Sequence, residues 1–284
     1  MASLSYLITG GSGSWGHEAV RQLLRTDATR ICVFSRDELK QSEMQKEFTD
    51  PRLRFFIGDV RDEDRIKSAL KGIDVVFHAA ALKQVPACEY NPFEAVKTNI
   101  LGTQNVISAC VECGVKKAIL ISTDKAVDPV NLYGGTKLVA EKLWLAANQF
   151  SDTEFSLTRY GNVAGSRGSV IPLFESQVGK QMTITDVEMT RFLLTIQEAV
   201  SFVLSQLDDM RGGEVFIPDL KSCKIMDLAE AISESTYKHV IGIRQGEKLH
   251  ETLGPNYFSN DPHRLMSAEQ TKEWYEGYKS TSNN

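Results

Sequence analysis

The stretch S-Y-L-I-T-G-G-S-G-S-W-G, residues 5–16, constrains the fold more than any other part of the chain. A short apolar run, Ser5–Thr9, meets glycines at 10, 11, 13 and 16, and a helix-like segment, Trp15–Arg25, follows. Gly10, Gly13 and Gly16 are three apart, and Gly11, Gly13 and Gly16 also satisfy G-x-G-x-x-G. A strand that turns through glycines straight into a helix lets the backbone approach a pyrophosphate and aims a helix N-terminus at its charge. Alone the motif says little; between a first strand and a first helix it has the context it needs. Gly10, Ser12, Gly13, Ser14, Trp15 and Gly16 are the expected contacts.

The rest of the first half keeps the same rhythm. Strands are expected at Ile31–Ser35, Leu53–Ile57, Asp74–His78, Ala118–Ser122 and Phe155–Arg159, with helices at Asp62–Leu70, Thr98–Cys113 and Leu132–Gln149. Apolar strand-length runs alternating with amphipathic helices predict an α/β fold, a doubly wound and mostly parallel sheet of Rossmann type. Ligands of such sheets lie beyond the carboxyl ends of the strands. After about residue 165 the rhythm weakens, with helical segments expected at Thr195–Leu207 and Met226–Ser233 and an extended one at Glu214–Ile217. The division expected is a dinucleotide-binding domain over 1–165 and a smaller substrate-binding portion over 166–284, interleaved with it and ending in a frayed polar tail, S-T-S-N-N.

Composition excludes several classes. The chain has 284 residues, 42% hydrophobic, and a net charge of −5, which argues against a basic face for nucleic acid. No apolar run reaches the length of a membrane span, and the N-terminus lacks the basic head and apolar stretch of a signal peptide. Five cysteines, an odd number, suit a reducing compartment, so a cytoplasmic protein is expected. Cys110 and Cys113 form a lone C-x-x-C with no second pair beside it, and read as small apolar residues in the last turn of a helix that stops at Gly114.

The second strand ends S-R-D-E-L-K, residues 35–40. Ser35 can donate a hydrogen bond, Arg36 can hold a phosphate in its fork, and Lys40 adds charge, which favours NADP; Asp37 dissents, since an acid there can prefer a ribose hydroxyl. Glu38 and Leu39 lie in the same stretch. Asp59, in G-D-V, meets an adenine edge or caps the helix that begins near Asp62.

The segment I-S-T-D-K-A-V-D-P-V-N-L-Y-G-G-T-K, residues 121–137, carries the chemistry. Tyr133 and Lys137 are four apart on one helical face, and an ammonium beside a phenol lowers its pKa, which makes Tyr133 a base toward a sugar hydroxyl. Together, T-G-G-S-G-S-W-G and Y-G-G-T-K resemble the extended short-chain dehydrogenase/reductases. S-R-D-E-L-K-Q-S-E-M, H-A-A-A-L-K-Q-V-P, S-T-D-K-A, Y-G-N-V-A-G-S-R-G-S-V-I-P, M-T-R-F and I-G-I-R-Q-G-E-K-L-H-E narrow this to the inverting UDP-N-acetylglucosamine 4,6-dehydratases. The likeness runs from residue 5 to about residue 253.

That resemblance implies an enzyme that oxidises C4 of the sugar, removes the C5 proton, expels the C6 hydroxyl as water and returns the hydride to C6. By it, Tyr133 deprotonates the C4 hydroxyl with Thr123 or Ser122 bonded nearby, Lys125 takes the C5 proton, and Asp124 protonates the departing C6 oxygen. Lys137 orients the nicotinamide ribose and tunes Tyr133. Lysine at 125, where retaining relatives carry glutamate, marks the inverting branch. A lysine is a base only when neutral; burial or an oxidised cofactor favours that state and Asp124 opposes it. The resemblance further implies cofactor contacts from Val60, Ala79, Lys83 and Val163, and an assembly that is a homo-oligomer, a dimer or a hexamer.

On the substrate side the resemblance places the loop Arg167–Pro172, with Gly168, Ser169, Val170 and Ile171, along the nucleotide sugar. Asn162 suits a diphosphate or acetamido contact, Arg191 and Arg244 join Arg167 as diphosphate or ribose candidates, Glu247 accepts from ribose hydroxyls, and Lys83 touches sugar as well as cofactor. The chain departs from the family pattern at Gly135, usually Ala, at Trp15, usually Phe-like, and at Cys88, and its C-terminus is short. Trp15 is expected to bring bulk to the pyrophosphate. A nucleotide-sugar 4-epimerase or reductase would need Tyr133 and Lys137 but not the Asp124–Lys125 pair; a non-catalytic dinucleotide sensor would need neither.

Overall fold

The computed structural model describes residues 3–166 and 169–282. In chain order the first elements are β1 Ser5–Thr9, α1 Ser14–Leu23, β2 Arg30–Ser35, α2 Glu38–Glu47, β3 Leu53–Ile57, α3 Glu63–Leu70 and β4 Val75–His78. Then come α4 Val85–Tyr90, α5 Pro92–Val96, a π-helical turn Lys97–Leu101, α6 Gly102–Cys113, β5 Lys117–Ile121, a 3₁₀ turn Asp124–Ala126, α7 Leu132–Ala146 and β6 Glu154–Thr158. The remainder is β7 Asn162–Ala164, α8 Val170–Ser176, β8 Gln181–Ile184, β9 Thr190–Thr195, α9 Ile196–Ser205, β10 Val215–Phe216, β11 Ser222–Lys224, α10 Ile225–Ile232, β12 Tyr237–Val240, β13 Thr252–Gly254, β14 Tyr257–Phe258 and α11 Ala268–Ser282.

Two units can be told apart, residues 1–159 with 200–217 and residues 160–199 with 218–284. The first holds a seven-stranded sheet in the order β10-β6-β5-β4-β1-β2-β3, parallel at every pairing. Leu7, Ile8, Val33, Val76, Phe77, Ile119 and Leu120 are fully buried, as parallel strands covered on both faces must be. The strand order reverses on either side of β1, so the crevice between the ends of β1 and β4 is the position where such sheets bind ligands.

Trp144 on α7 fastens that helix to the sheet. Its indole N–H donates to the Ser156 carbonyl at 2.9 Å, and its rings stack on His78 and meet Phe155 edge-on. Cys110 lies in the same core, in the last turn of α6 before Gly114.

Several expectations need correction. Residues 98–113 are not one uninterrupted helix, because a π-helical turn precedes α6. Helix α2 was not expected: it buries only Gln41 and Met44 and so shows no apolar period, and its start is set by Asp37, whose side chain accepts from the Lys40 N–H at 3.0 Å. The cap of α3 is Asp62, which accepts from Arg65 N at 3.0 Å, so Asp59 is free of that role.

The second unit is built from small sheets, β11-β9-β7, β12-β8 and β13-β14, around two small apolar clusters. Residues 170–172, expected in a loop, are the first turn of α8. Of the tail expected to fray, residues 280–282 are the end of α11 and 283–284 lie outside the described residues; Glu175 of α8 holds α11 by accepting from Tyr275 Oη and Lys279 Nζ, each at 2.8 Å. Among the described residues no helix is long and apolar enough to cross a membrane.

Candidate active site

The glycine turn is compressed against the end of β4. Gly10 has φ +67°, and a Cβ there would stand 2.9 Å from the Ala80 backbone, so only glycine fits. Ala79 N bonds to Thr9 O at 3.2 Å across the same crevice. Helix α1 then starts at Ser14 with no side-chain cap from Gly13 and no acid in its first turn. Its free N–H groups and the positive end of its dipole are left for an anion, which is the arrangement a dinucleotide pyrophosphate needs.

Trp15 does not crowd that anion: it is buried, and its ring packs on Phe77 of β4 at 5.6 Å between centroids, so the bulk expected at the pyrophosphate goes into the core. The side chain of Val60 is likewise buried in the core, close to Gly102.

At the end of β2, Ser35 is buried and bonded to Ser12 at 2.8 Å. Asp37, the residue that favoured a ribose hydroxyl, is occupied as the α2 cap and paired with Lys40. Arg36 stays half exposed with one long contact, 3.4 Å, to Asp59, whose carboxylate is held more tightly by Arg61 at 2.7 Å. Glu38 and Leu39 are exposed in the first turn of α2. Lys83 is exposed after β4 and pairs with no described residue.

The reactive cluster sits beyond β5. The 3₁₀ turn is capped by Thr123, whose hydroxyl accepts from Lys125 N at 3.3 Å and donates to Asp124 Oδ1 at 2.9 Å. Lys125 Nζ reaches the same Oδ1 at 3.1 Å. Asp124 is 1% exposed, and its Oδ2 is buried without a hydrogen-bond partner among the described residues. Helix α7 brings Tyr133 alongside, and its phenol is hydrogen-bonded to Thr123. Close approach requires glycine at 134, since a Cβ there would lie 2.2 Å from the Lys125 carbonyl oxygen. The helix start is fixed twice, by Asn131 Oδ1 on Gly134 N at 2.8 Å and by Glu89 Oε1 on Leu132 N at 2.7 Å.

Burial pushes the Tyr133 phenol up to about 12, while the Lys125 charge and the Thr123 hydrogen bond pull it down and Asp124 pushes it up. Lys137, expected to tune this phenol and to orient the nicotinamide ribose, makes its described hydrogen bond elsewhere. Its side chain turns to the end of β5, where Nζ donates to the Ile121 carbonyl at 2.8 Å, and burial lowers its pKa to about 8. The cation that acts on the phenol is Lys125. Ser122 is also separate from Tyr133: it donates to buried Glu141 at 2.5 Å, and Arg159 pairs with the same carboxylate. No local motif marked the Glu141–Arg159 pair; its one signal is that Glu141 follows Lys137 by four residues on the same helix.

In the second unit Asn162 and Val163 lie half-buried on β7, and no described residue hydrogen-bonds the Asn162 side chain. Ser169 Oγ is buried without a partner among the described residues. Ile171 is buried in the unit's core and Pro172 is exposed. Arg191 is buried with its guanidinium on the carbonyls of Thr190, Leu249 and Lys248, so it staples two chain segments rather than standing open to a diphosphate. Arg244 pairs with Glu247 at 2.7 Å, and Glu247 Oε2 is buried without a partner among the described residues. Arg167 and Gly168 lie outside the described residues.

The family described as polysaccharide biosynthesis protein matches residues 6–270. This chain belongs to that family. Among curated relatives, the UDP-N-acetylglucosamine 4,6-dehydratase (inverting) of Campylobacter jejuni is 54% identical over 254 residues, 87% of this chain and 76% of the relative. A UDP-glucose 4-epimerase of Rickettsia akari is 46% identical over 260 residues, with the same coverage of 87% and 76%. The X-ray structure of Pen from Bacillus thuringiensis superposes with a TM-score of 0.91 at 37% identity, covering 98% of both chains.

Proposed function

We propose that this protein is an NADP-dependent UDP-N-acetylglucosamine 4,6-dehydratase that inverts C5. The observation that carries the reading is one hydroxyl, Thr123, bonded to Tyr133 and to Asp124, with Asp124 bonded in turn to Lys125. A 4-epimerase or reductase has work for the tyrosine alone. A dehydratase also needs one base for C5 and one acid for the C6 oxygen, and the turn after β5 offers both within 3.1 Å of each other.

The glycine turn, Ser35 and Arg36 would hold the dinucleotide, with the Arg36 fork suited to a 2′-phosphate. Held there, the dinucleotide would supply the hydride acceptor for C4 and the hydride donor for C6. Tyr133 removes the C4 hydroxyl proton, its phenolate supported by the Lys125 charge. Lys125 then takes the C5 proton, acidified by the C4 ketone, and Asp124 gives a proton to the C6 oxygen, which leaves as water.

The proton count answers the difficulty of a basic lysine. A neutral Asp124–Lys125 pair holds the same number of protons as the ion pair. Lys125 is the ammonium while Tyr133 takes its proton, and it passes a proton to Asp124 once the C4 ketone has formed. One elimination converts the neutral pair to carboxylate and ammonium. C5 then takes a proton from solvent on the opposite face, Tyr133 returns its proton to solvent, and the proton on Lys125 restores the starting pair. The product is a 6-deoxy-4-keto nucleotide sugar, a precursor of pseudaminic acid or a related L-sugar. We further place the enzyme in the cytoplasm as a homo-oligomer, a dimer or hexamer, which sedimentation would check.

The test is incubation with UDP-N-acetylglucosamine in deuterated water. A product lighter by one water, with deuterium at C5, is expected. Conversion to UDP-N-acetylgalactosamine without loss of water would instead support the epimerase reading, to which the Rickettsia relative's name points.

A further inference from the structure

Helix α2 buries two residues, and one of them is an amide: Gln41 is 2% exposed. A buried amide must find partners. The two hydrogens of Gln41 Nε2 serve three acceptors, the Phe56 carbonyl at 3.0 Å and, within Ser35, the carbonyl at 3.0 Å and the hydroxyl at 2.9 Å, so two of these share one hydrogen. The Ser35 hydroxyl also accepts from Ser12, in the glycine turn, at 2.8 Å.

A serine hydroxyl has one proton and two lone pairs. At Ser35 both lone pairs are filled from within the protein, by Gln41 on α2 and by Ser12 on the turn after β1. What the hydroxyl can still do is donate. A ribose hydroxyl both gives and takes, and a carboxylate would serve it as an acceptor; a phosphate only accepts. A hydroxyl locked as a donor therefore discriminates in favour of an anion. The nearest acid, Asp37, is turned to its own helix as a cap.

We propose that Gln41 is a positioning residue that sets cofactor specificity: by filling a lone pair of Ser35 it presents the end of β2 as a donor to the phosphate on a ribose 2′ position. This rests on the reading of the glycine turn and β2 as a dinucleotide site that prefers NADP.

Calorimetric titration of the full chain with NADP and with NAD separates the two claims. Wild type should bind NADP tighter than NAD; equal affinities would overturn the cofactor preference itself. Gln41→Met should weaken NADP binding about five- to tenfold, the worth of one directed hydrogen bond, and leave NAD binding within about twofold. A Gln41→Met protein as selective as wild type would overturn the inference. Ser35→Ala should lose the same selectivity, and adding Gln41→Met to it should cost little more, because both act through one hydroxyl. Full NADP preference in Ser35→Ala, or additive losses in the pair, would sink the inference even where Gln41→Met proves too unstable to titrate.

Discussion

The Thr123 hydroxyl donates to Asp124 Oδ1 at 2.9 Å, and that bond determines which oxygen of Asp124 is available. Oδ1 also takes Lys125 Nζ, so Oδ2, buried and without a partner among the described residues, is the one left to face a substrate. The acid of the proposed elimination is thus a single oriented atom.

Replacing Asp124 by Asn keeps the shape and removes the transferable proton. Dehydration should fall about 10²- to 10⁴-fold, the usual worth of a general acid. Lys125 still reaches C5, so recovered UDP-N-acetylglucosamine should gain deuterium from solvent while little product forms. NMR of substrate recovered from deuterated buffer checks both.

Thr123 bonds to Tyr133 as well as to Asp124, so it serves both proton transfers. Thr123→Val should slow turnover about tenfold or more by removing one hydrogen bond from each of two buried partners, and Thr123→Ser should restore most of it. Steady-state rates of the two variants side by side give the answer; equal rates for valine and serine would exclude the hydroxyl.

Two adjacent glycines should respond in opposite ways. A Cβ at Gly134 meets the Lys125 carbonyl oxygen at 2.2 Å, whereas a Cβ at Gly135 has nothing within 4 Å. Gly134→Ala should destabilise the fold by about 2 kcal/mol or more and separate Tyr133 from Lys125. Gly135→Ala, inside α7, should stabilise it by about 0.5 to 1 kcal/mol through lower chain entropy. Urea unfolding of both variants measures the contrast.

His78 supplies the acid sensitivity. It is buried between the Thr9 hydroxyl at 2.6 Å and the Thr103 hydroxyl at 3.0 Å, and burial, with the Lys137 charge, lowers its pKa from 6.5 to about 3. Between those values the unfolded chain binds a proton that the folded chain does not, so stability is lost as pH falls below 6.5. From pH 7 to pH 5 wild type should lose about 2 kcal/mol more than His78→Asn in urea titrations. Parallel pH profiles for the two proteins would contradict this.

The sequence by itself determined the frame and the reactive turn. Ser5–Thr9 and Leu53–Ile57 are strands over the expected residues: β1 is buried at every position, as a strand covered on both faces is, and β3, at the sheet's edge and partly exposed, still shows its apolar run Phe55–Ile57 locally. The glycine turn, S-T-D-K and Y-G-G-T-K are likewise contiguous, since each needs neighbouring residues in one bend or on one helical face. Tertiary structure decided the pairings. Gln41 acts on Ser35 only because α2 folds back on β2, and α2 carried no apolar period to announce it. Lys137 was expected beside Tyr133 from its spacing, yet its amine goes to Ile121 and the phenol is served by Lys125, eight residues away. Arg191 looked like a phosphate ligand and is spent on backbone carbonyls. A hydrogen bond is settled within about 3 Å, and periodicity along a chain carries no information on which distant carbonyl or hydroxyl arrives at that distance.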